Sequence, residues 1–314
     1  MPRGSDRETV KIGVVGTGFV GSTFAYTLVL TGLAAEIVLI DKNLAKAEGE
    51  EMDLNHAAPF AHPVRIRAGG YEDLAGAVVV CIAAGVGQRP GEDRLSLLRR
   101  NVVVLEEVVA GIVRHAPEAI VLVASNPVDI LSYAAWKLSG LPAARVIGSG
   151  TILDTARLRS RLGELYGVDP RSVHAHIVGE HGDSEVPAWS LANIAGVRLE
   201  DYGSFDPKAL RKVFEEVRDA AYEIIERKGA TYYAIAVGLT RIVSSILRDE
   251  RSVLSVSTLV DGYLGVKDIY LGVPAVVGRS GVEKVIELPL DDAETRAFRR
   301  SAAILKELAG SLGL

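Results

Sequence analysis

One six-residue turn constrains this chain more than any other feature. Gly16-Thr17-Gly18-Phe19-Val20-Gly21 follows a short apolar run, Val10 to Val15, and opens a longer one, Phe19 to Leu30. A G-x-G-x-x-G spacing between a strand and a helix leaves few folds open. Gly16 permits the tight turn, Gly18 lets the backbone approach a diphosphate, and Gly21 lets the helix pack closely on the strand. The helix N-terminus then offers unpaired N–H groups to the anion. A second strand, Glu36 to Asp41, ends in an acid 20 residues beyond Gly21. A carboxylate there accepts hydrogen bonds from the hydroxyls of an adenosine ribose and repels a 2′-phosphate. The expected cofactor is therefore NAD and not NADP.

The pattern continues along the first half. Ala77 to Ile82 and Ala119 to Val123 are further β-branched runs, while Leu44 to Asn55 and Leu95 to Arg114 have helical periodicity. Strands alternating with helices imply a parallel sheet whose strands are buried on both faces. The second half changes character near Gly148-Ser149-Gly150. Thr151 to Tyr166, Lys208 to Arg227, Thr231 to Leu247 and Asp291 to Leu312 are expected helices, and Arg251 to Glu287 reads as antiparallel strands. The fold class expected is α/β, a Rossmann-type parallel sheet domain followed by an α+β domain. The expected division is a frayed leader over 1–9, a nucleotide domain over 10–148 and a second domain over 149–314.

Composition narrows the classes. The 314 residues carry 35 Lys and Arg against 40 Asp and Glu, a formal net charge of −5. This argues against a bulk polyanion binder such as a non-specific nucleic-acid protein. A 48% hydrophobic and 24% charged chain is not a disordered one. The longest apolar run, Leu74 to Gly87, is shorter than the ~18 residues that suggest a membrane span. The one cysteine, Cys81, lies in the run Val78 to Ile82 and reads as a core residue. A lone cysteine and no apolar leader suit a reducing compartment, and a cytoplasmic location is expected.

Three further segments carry candidate chemistry. Gly85 to Arg94 is a polar, glycine-rich loop beyond a strand, where ligands of open α/β folds bind and where a lid can close. Arg94 could bring a cation to a substrate. Asp154 and Arg157 stand three apart on one helix face. Gly179-Glu180-His181-Gly182-Asp183-Ser184 follows an apolar strand expected over Val173 to Val178 and sets a histidine between glycines.

GTGFVG, SNPVDI, LDTAR and GEHGDS, in this order and spacing, resemble the 2-hydroxy-acid dehydrogenase family of L-lactate and malate dehydrogenases. The resemblance runs from about Lys11 to the C-terminal helix and makes the second domain a substrate-binding one. It implies that His181 is the acid/base, that Asp154 orients it and favours its charged form, and that Arg157 grips the substrate carboxylate. Arg94 would polarise the carbonyl, Asn126 would hydrogen-bond the carbonyl side, and Ser149 and Ile235 would lie near the nicotinamide. Gln88, six before Arg94, would read the third substituent of the substrate. Malate dehydrogenases place an arginine there, and a neutral Gln would leave a second carboxylate unpaired. With Thr231, also of the lactate pattern, Gln88 favours pyruvate and L-lactate, malate dehydrogenase being the alternative. The resemblance further implies an effector site for fructose 1,6-bisphosphate at Arg159 and His174, between subunits of a homotetramer. No metal is expected.

Overall fold

The computed structural model describes residues 10–87, 91–203 and 206–314. The expected leader lies outside them, as do Gln88 and the adjoining Arg89.

Six parallel strands form the first half: β1 (Lys11–Val15), β2 (Glu36–Ile40), β3 (Arg65–Ala68), β4 (Ala77–Ile82), β5 (Ile120–Val123) and β6 (Val146–Gly148). Their spatial order is β3-β2-β1-β4-β5-β6. The central strands are buried beyond their first residues because helices cover both faces. Those helices are α1 (Phe19–Thr31), α2 (Leu44–Ala57), α3 (Arg94–His115) and α4 (Val128–Ser139). Helix α4 is absent from the sequence reading. Every residue from Val128 to Ala135 is buried, the polar Asp129 and Ser132 included, so polarity there does not mark a solvent face. Arg94, read as a loop residue, is instead the first residue of α3. Asp93 caps that helix, its Oδ1 accepting from the Ser96 N–H at 2.9 Å.

Helix α5 (Ile152–Tyr166) opens the second half. The strand expected over Val173 to Val178 is split. β7 (Val173–His174) and β8 (Ile177–Val178) belong to different sheets, β8 pairing with β9 (Val186–Pro187) and β7 with β10 (Asn193–Ile194), which also pairs β11 (Val197–Arg198). At the break the Ala175 carbonyl accepts from Arg159 Nε at 3.0 Å instead of from a strand. Helices α6 (Pro207–Lys228) and α7 (Tyr233–Leu247) follow, then the meander β12 (Ser252–Val260), β13 (Ile269–Gly278), β14 (Gly281–Val285), and α8 (Asp292–Leu312).

The meander does not form a sheet of its own. β12 pairs with β6 at Ser257 and Gly148, so one nine-stranded sheet runs through both halves. Its two faces carry two large apolar cores. One core joins Ile12, Val14, Phe24 and Leu28 to Leu239, Ile242 and Val243 of α7. The other joins Val80, Ile82 and Leu105 to Phe298, Ala302 and Leu305 of α8. Cys81 is fully buried, and burial pushes its thiol up to about 12, as fits a core residue.

Candidate active site

Strands β1 and β4 lie side by side while their following helices leave in opposite directions, which makes a switch point with a crevice at the strand ends. Gly16 sits there with φ +97, in the left-handed region. Its N–H donates to the Ile40 carbonyl at 2.7 Å, and a Cβ on it would strike the Ala84 backbone. A Cβ on Gly21 would strike the Gly16 carbonyl, so the helix can sit this close only with glycine. Gly18 is the N-cap of α1. No side chain caps it, no acid stands in the first turn, and a Cβ there would meet open space. The first N–H groups of α1 are thus left for an anion, as a dinucleotide diphosphate requires.

Asp41 closes the crevice. Its Oδ2 accepts from the Thr17 N–H at 2.9 Å and the Thr17 hydroxyl at 3.0 Å, and its Oδ1 from the Asn43 N–H at 2.9 Å. Burial works against its charge, but these N–H donors outweigh burial and hold the carboxyl below its ordinary value. Ser149 is buried directly after β6, its N–H donating to the Val123 carbonyl at 2.8 Å. Ile235 lies on α7, which packs against α1 and shares a 2.6 Å hydrogen bond between Thr27 and Thr240. The residues present fit NAD: a glycine turn, a bare helix N-terminus and a carboxylate at the end of β2.

The crevice adjoins a cavity. The Ser125 hydroxyl donates to the carbonyls of Ile82 (3.2 Å) and Ala84 (2.5 Å) at the end of β4. The next residue, Asn126, lines a cavity of about 670 Å³ together with Asp154, Arg157, Glu180, His181 and Glu185. His181 and Glu185 stand on the loop joining β8 to β9. That loop starts at Gly179, whose φ of +93 suits glycine and where a Cβ would lie 2.8 Å from the Ser301 hydroxyl.

Within the cavity the Asp154 carboxylate bridges two cations. Its Oδ2 lies 2.5 Å from His181 Nδ1, and its Oδ1 accepts from Arg157 at 3.0 Å. Such an i,i+3 pair is commonly a surface feature, but here Asp154 is nearly inaccessible, its side chain 3% exposed. Burial lowers the proton affinity of His181, but the neighbouring Asp154 carboxylate outweighs it and holds the ring up at about 9. With Nδ1 turned to Asp154, Nε2 is left for a substrate.

Two acids of this site escaped the sequence reading. Asp129 of α4 accepts from the His181 backbone N–H at 2.7 Å and the Ser257 hydroxyl at 2.6 Å, and fixes the loop to the sheet. Burial pushes its carboxyl up to about 6, although both donors pull it down. A carboxylate inside the apolar run Val128 to Leu131 was a usable signal. Glu185 carried none, since it follows Asp183 and Ser184 in a polar loop.

The structure does not bring every expected residue to the cavity. Gln88 lies outside the described residues, and so does the side chain of Arg94, although its backbone starts α3 beside the cavity-lining Leu95. Thr231 stands in the connection between α6 and α7 and does not line the cavity. Arg159 and His174 gather elsewhere, around His176. Burial first, then the charges of Arg159 and His174, push His176 down to about 4. His174 is exposed, and burial lowers the Arg159 pKa.

A dinucleotide crevice at a sheet switch point, opening on a buried aspartate–histidine couple with an arginine beside it, defines an NAD-dependent dehydrogenase. Known proteins place it further. Residues 10–148 match the family model "lactate/malate dehydrogenase, NAD binding domain", and residues 151–310 match "lactate/malate dehydrogenase, alpha/beta C-terminal domain". The chain is 50% identical over 305 residues to an L-lactate dehydrogenase of Clostridium botulinum (strain Okra / Type B1), covering 96% of each chain. It is 49% identical over 311 residues to L-lactate dehydrogenase 1 of Clostridium acetobutylicum, covering 98% of this chain and 99% of that one. A solved minor L-lactate dehydrogenase from Enterococcus mundtii superposes with a TM-score of 0.95 at 43% identity, covering 97% of this chain and 98% of that one. The chain belongs to the lactate/malate dehydrogenase family.

Proposed function

We propose that the chain catalyses the reversible reduction of pyruvate to L-lactate. One observation carries the reading: Asp154, His181 and Arg157 meet in one cavity beside the nucleotide crevice. Around it stands a chain about half identical to L-lactate dehydrogenases. The crevice would hold NAD through Gly16, Gly18, Gly21 and Asp41, with Ser149 and Ile235 toward the nicotinamide. The bound cofactor supplies the hydride.

The chain's own residues do the rest. His181 gives a proton from Nε2 to the substrate carbonyl oxygen and takes it back in the reverse direction. Asp154 keeps the ring oriented and charged. Arg157 spends one N–H on Asp154 and offers its remaining donors to the substrate carboxylate, whose oxygens match a planar fork. Asn126 hydrogen-bonds the carbonyl side. Arg94, at the start of α3, polarises the carbonyl, and Gln88 with Thr231 selects a methyl over a second carboxylate. The division at 148/149 puts the glycine turn and Asp41 in the first half and the Asp154–His181 couple in the second, while the shared sheet keeps the two halves in register.

The same reading includes regulation and assembly. Arg159 and His174 would bind the phosphates of fructose 1,6-bisphosphate across a subunit boundary of a homotetramer. In support, the side chain of Arg159 pairs with no carboxylate among the described residues and donates from Nε to the Ala175 backbone carbonyl. No helix among the described residues is long and apolar enough to cross a membrane. With its buried lone cysteine, the protein suits the cytoplasm.

The test is NADH oxidation with pyruvate and with oxaloacetate, each with and without the bisphosphate. The expected outcome is a kcat/KM for pyruvate at least about 10²-fold above that for oxaloacetate. A preference for oxaloacetate overturns the substrate assignment. Pyruvate saturation curves indifferent to millimolar bisphosphate and to Arg159→Gln overturn the effector.

A further inference from the structure

The acid–base couple has a second carboxyl beside it. Glu185 is 7% exposed, and its Oε1 is buried without a hydrogen-bond partner. One of its oxygens lies within 4.8 Å of a carboxylate oxygen of Asp154 and a ring nitrogen of His181, the three being mutually that close. Its backbone is held on both sides. The Glu185 N–H donates to the Gly182 carbonyl at 3.1 Å, and the next residue, Val186, begins β9. Glu185 also lines a second cavity, of about 580 Å³, on which Arg300 of α8 opens.

A buried carboxyl this close to an ionised one cannot lose its proton at its ordinary pH, because both desolvation and like charge oppose it. Once ionised, it adds a negative charge next to His181 and strengthens the ring's hold on its own proton. We propose that Glu185 is a positioning residue of the acid–base couple: its own ionisation sets the pH range over which His181 keeps the proton it transfers. This rests on His181 being the acid/base.

Other charges face Glu185 from each packed element. Asp154 of α5 raises its proton affinity, after burial, which is the larger cause; His181 of its own loop, Arg157 of α5 and Arg218 of α6 lower it, and the balance lies above the ordinary carboxylate range. Glu180 and Asp183 share its loop and both cavities, Arg300 faces it from α8, and Asp129 of α4 acts on His181 through the backbone N–H. Of these groups, only Glu185 combines burial, closeness to both members of the couple and an orphaned oxygen.

The experiment compares kcat/KM against pH for pyruvate reduction and L-lactate oxidation in the full-length wild type, Glu185→Gln and Glu185→Asp. Pyruvate reduction needs charged His181 and lactate oxidation needs the neutral ring. Glu185→Gln is expected to move the alkaline limb of the first and the rising limb of the second to lower pH together, by about one unit. Glu185→Asp keeps the charge and should restore both limbs toward wild type. Damage to packing alone would lower rates without moving the limbs. Independently, the His181 ring should titrate in two steps in wild-type protein by NMR, which needs no variant to fold. Limbs unmoved in a Glu185→Gln enzyme that still binds NADH, or a single-step wild-type titration, overturns the proposal. If His181→Asn is as active as wild type, the reading of His181 fails instead, and the proposal with it.

Discussion

At the scale of single residues, the site is governed by where one proton rests. His181 is held up at about 9 although burial opposes its charge, because Asp154 stands against Nδ1. The ring's folded-state pKa therefore exceeds its unfolded value of about 6.5. Its contribution to stability is complete below about pH 6.5 and is lost as pH rises through about 9. In Asp154→Asn the ring loses the charge that holds its proton. Calorimetry should then show a Tm that declines less between pH 6.5 and 9 than in wild type, and kcat/KM for pyruvate should fall by about 10²-fold or more. Equal pH slopes in the two proteins would count against the ion pair. His181, Asp154 and Arg157 were legible because each sits in a motif with characteristic neighbours. Asp129 stands inside the SNPVDI motif, but its hydrogen bond to the His181 N–H spans 52 positions of chain, and Glu185 meets Asp154 and His181 only once the chain has folded.

At the scale of elements, the long helices were readable because amphipathic repeats and caps are local. α8 is the clearest case. Asp291 accepts from the Ala293 and Glu294 N–H groups at 2.8 Å each, and the Glu294 carboxylate reaches back to the Asp291 N–H at 3.1 Å. The last turns of α8, with Ile304, Leu308 and Ser311, line the substrate cavity far from that cap. Asp291→Ala should therefore lower stability by about 1 kcal/mol in urea denaturation. It should leave kcat/KM for pyruvate within about twofold of wild type at 25 °C, where the protein remains folded. A large kinetic loss would show that the cap, not only the helix, shapes the cavity. Elements escaped the sequence where the cue was missing. α4 is buried over its first eight residues, so its polar side chains there mark no solvent face, and β7 to β11 have only two residues each, too few for any periodicity.

At the scale of the whole molecule, the two halves are one packed body. α7 supplies Ala236, Leu239, Ile242 and Val243 to the core under β1 and α1, and β12 extends the parallel sheet at Gly148. Residues 10–148 expressed alone should lose those contacts, expose the α1 face and an open β6 edge, and fail to unfold cooperatively. Circular dichroism melts and dye binding would show this, and a sharp cooperative melt of the fragment would refute it. The nucleotide turn, the acid at the end of β2, the catalytic motifs and most long helices were written in the chain because each depends on neighbours a few residues apart. The splitting of Val173 to Val178 into two strands, the continuation of one sheet through both halves, and the meeting of Asp129, Asp154, His181 and Glu185 depend on packing between distant segments. Burial and like charge act on those side chains only after the chain has closed around them, and no local pattern records either.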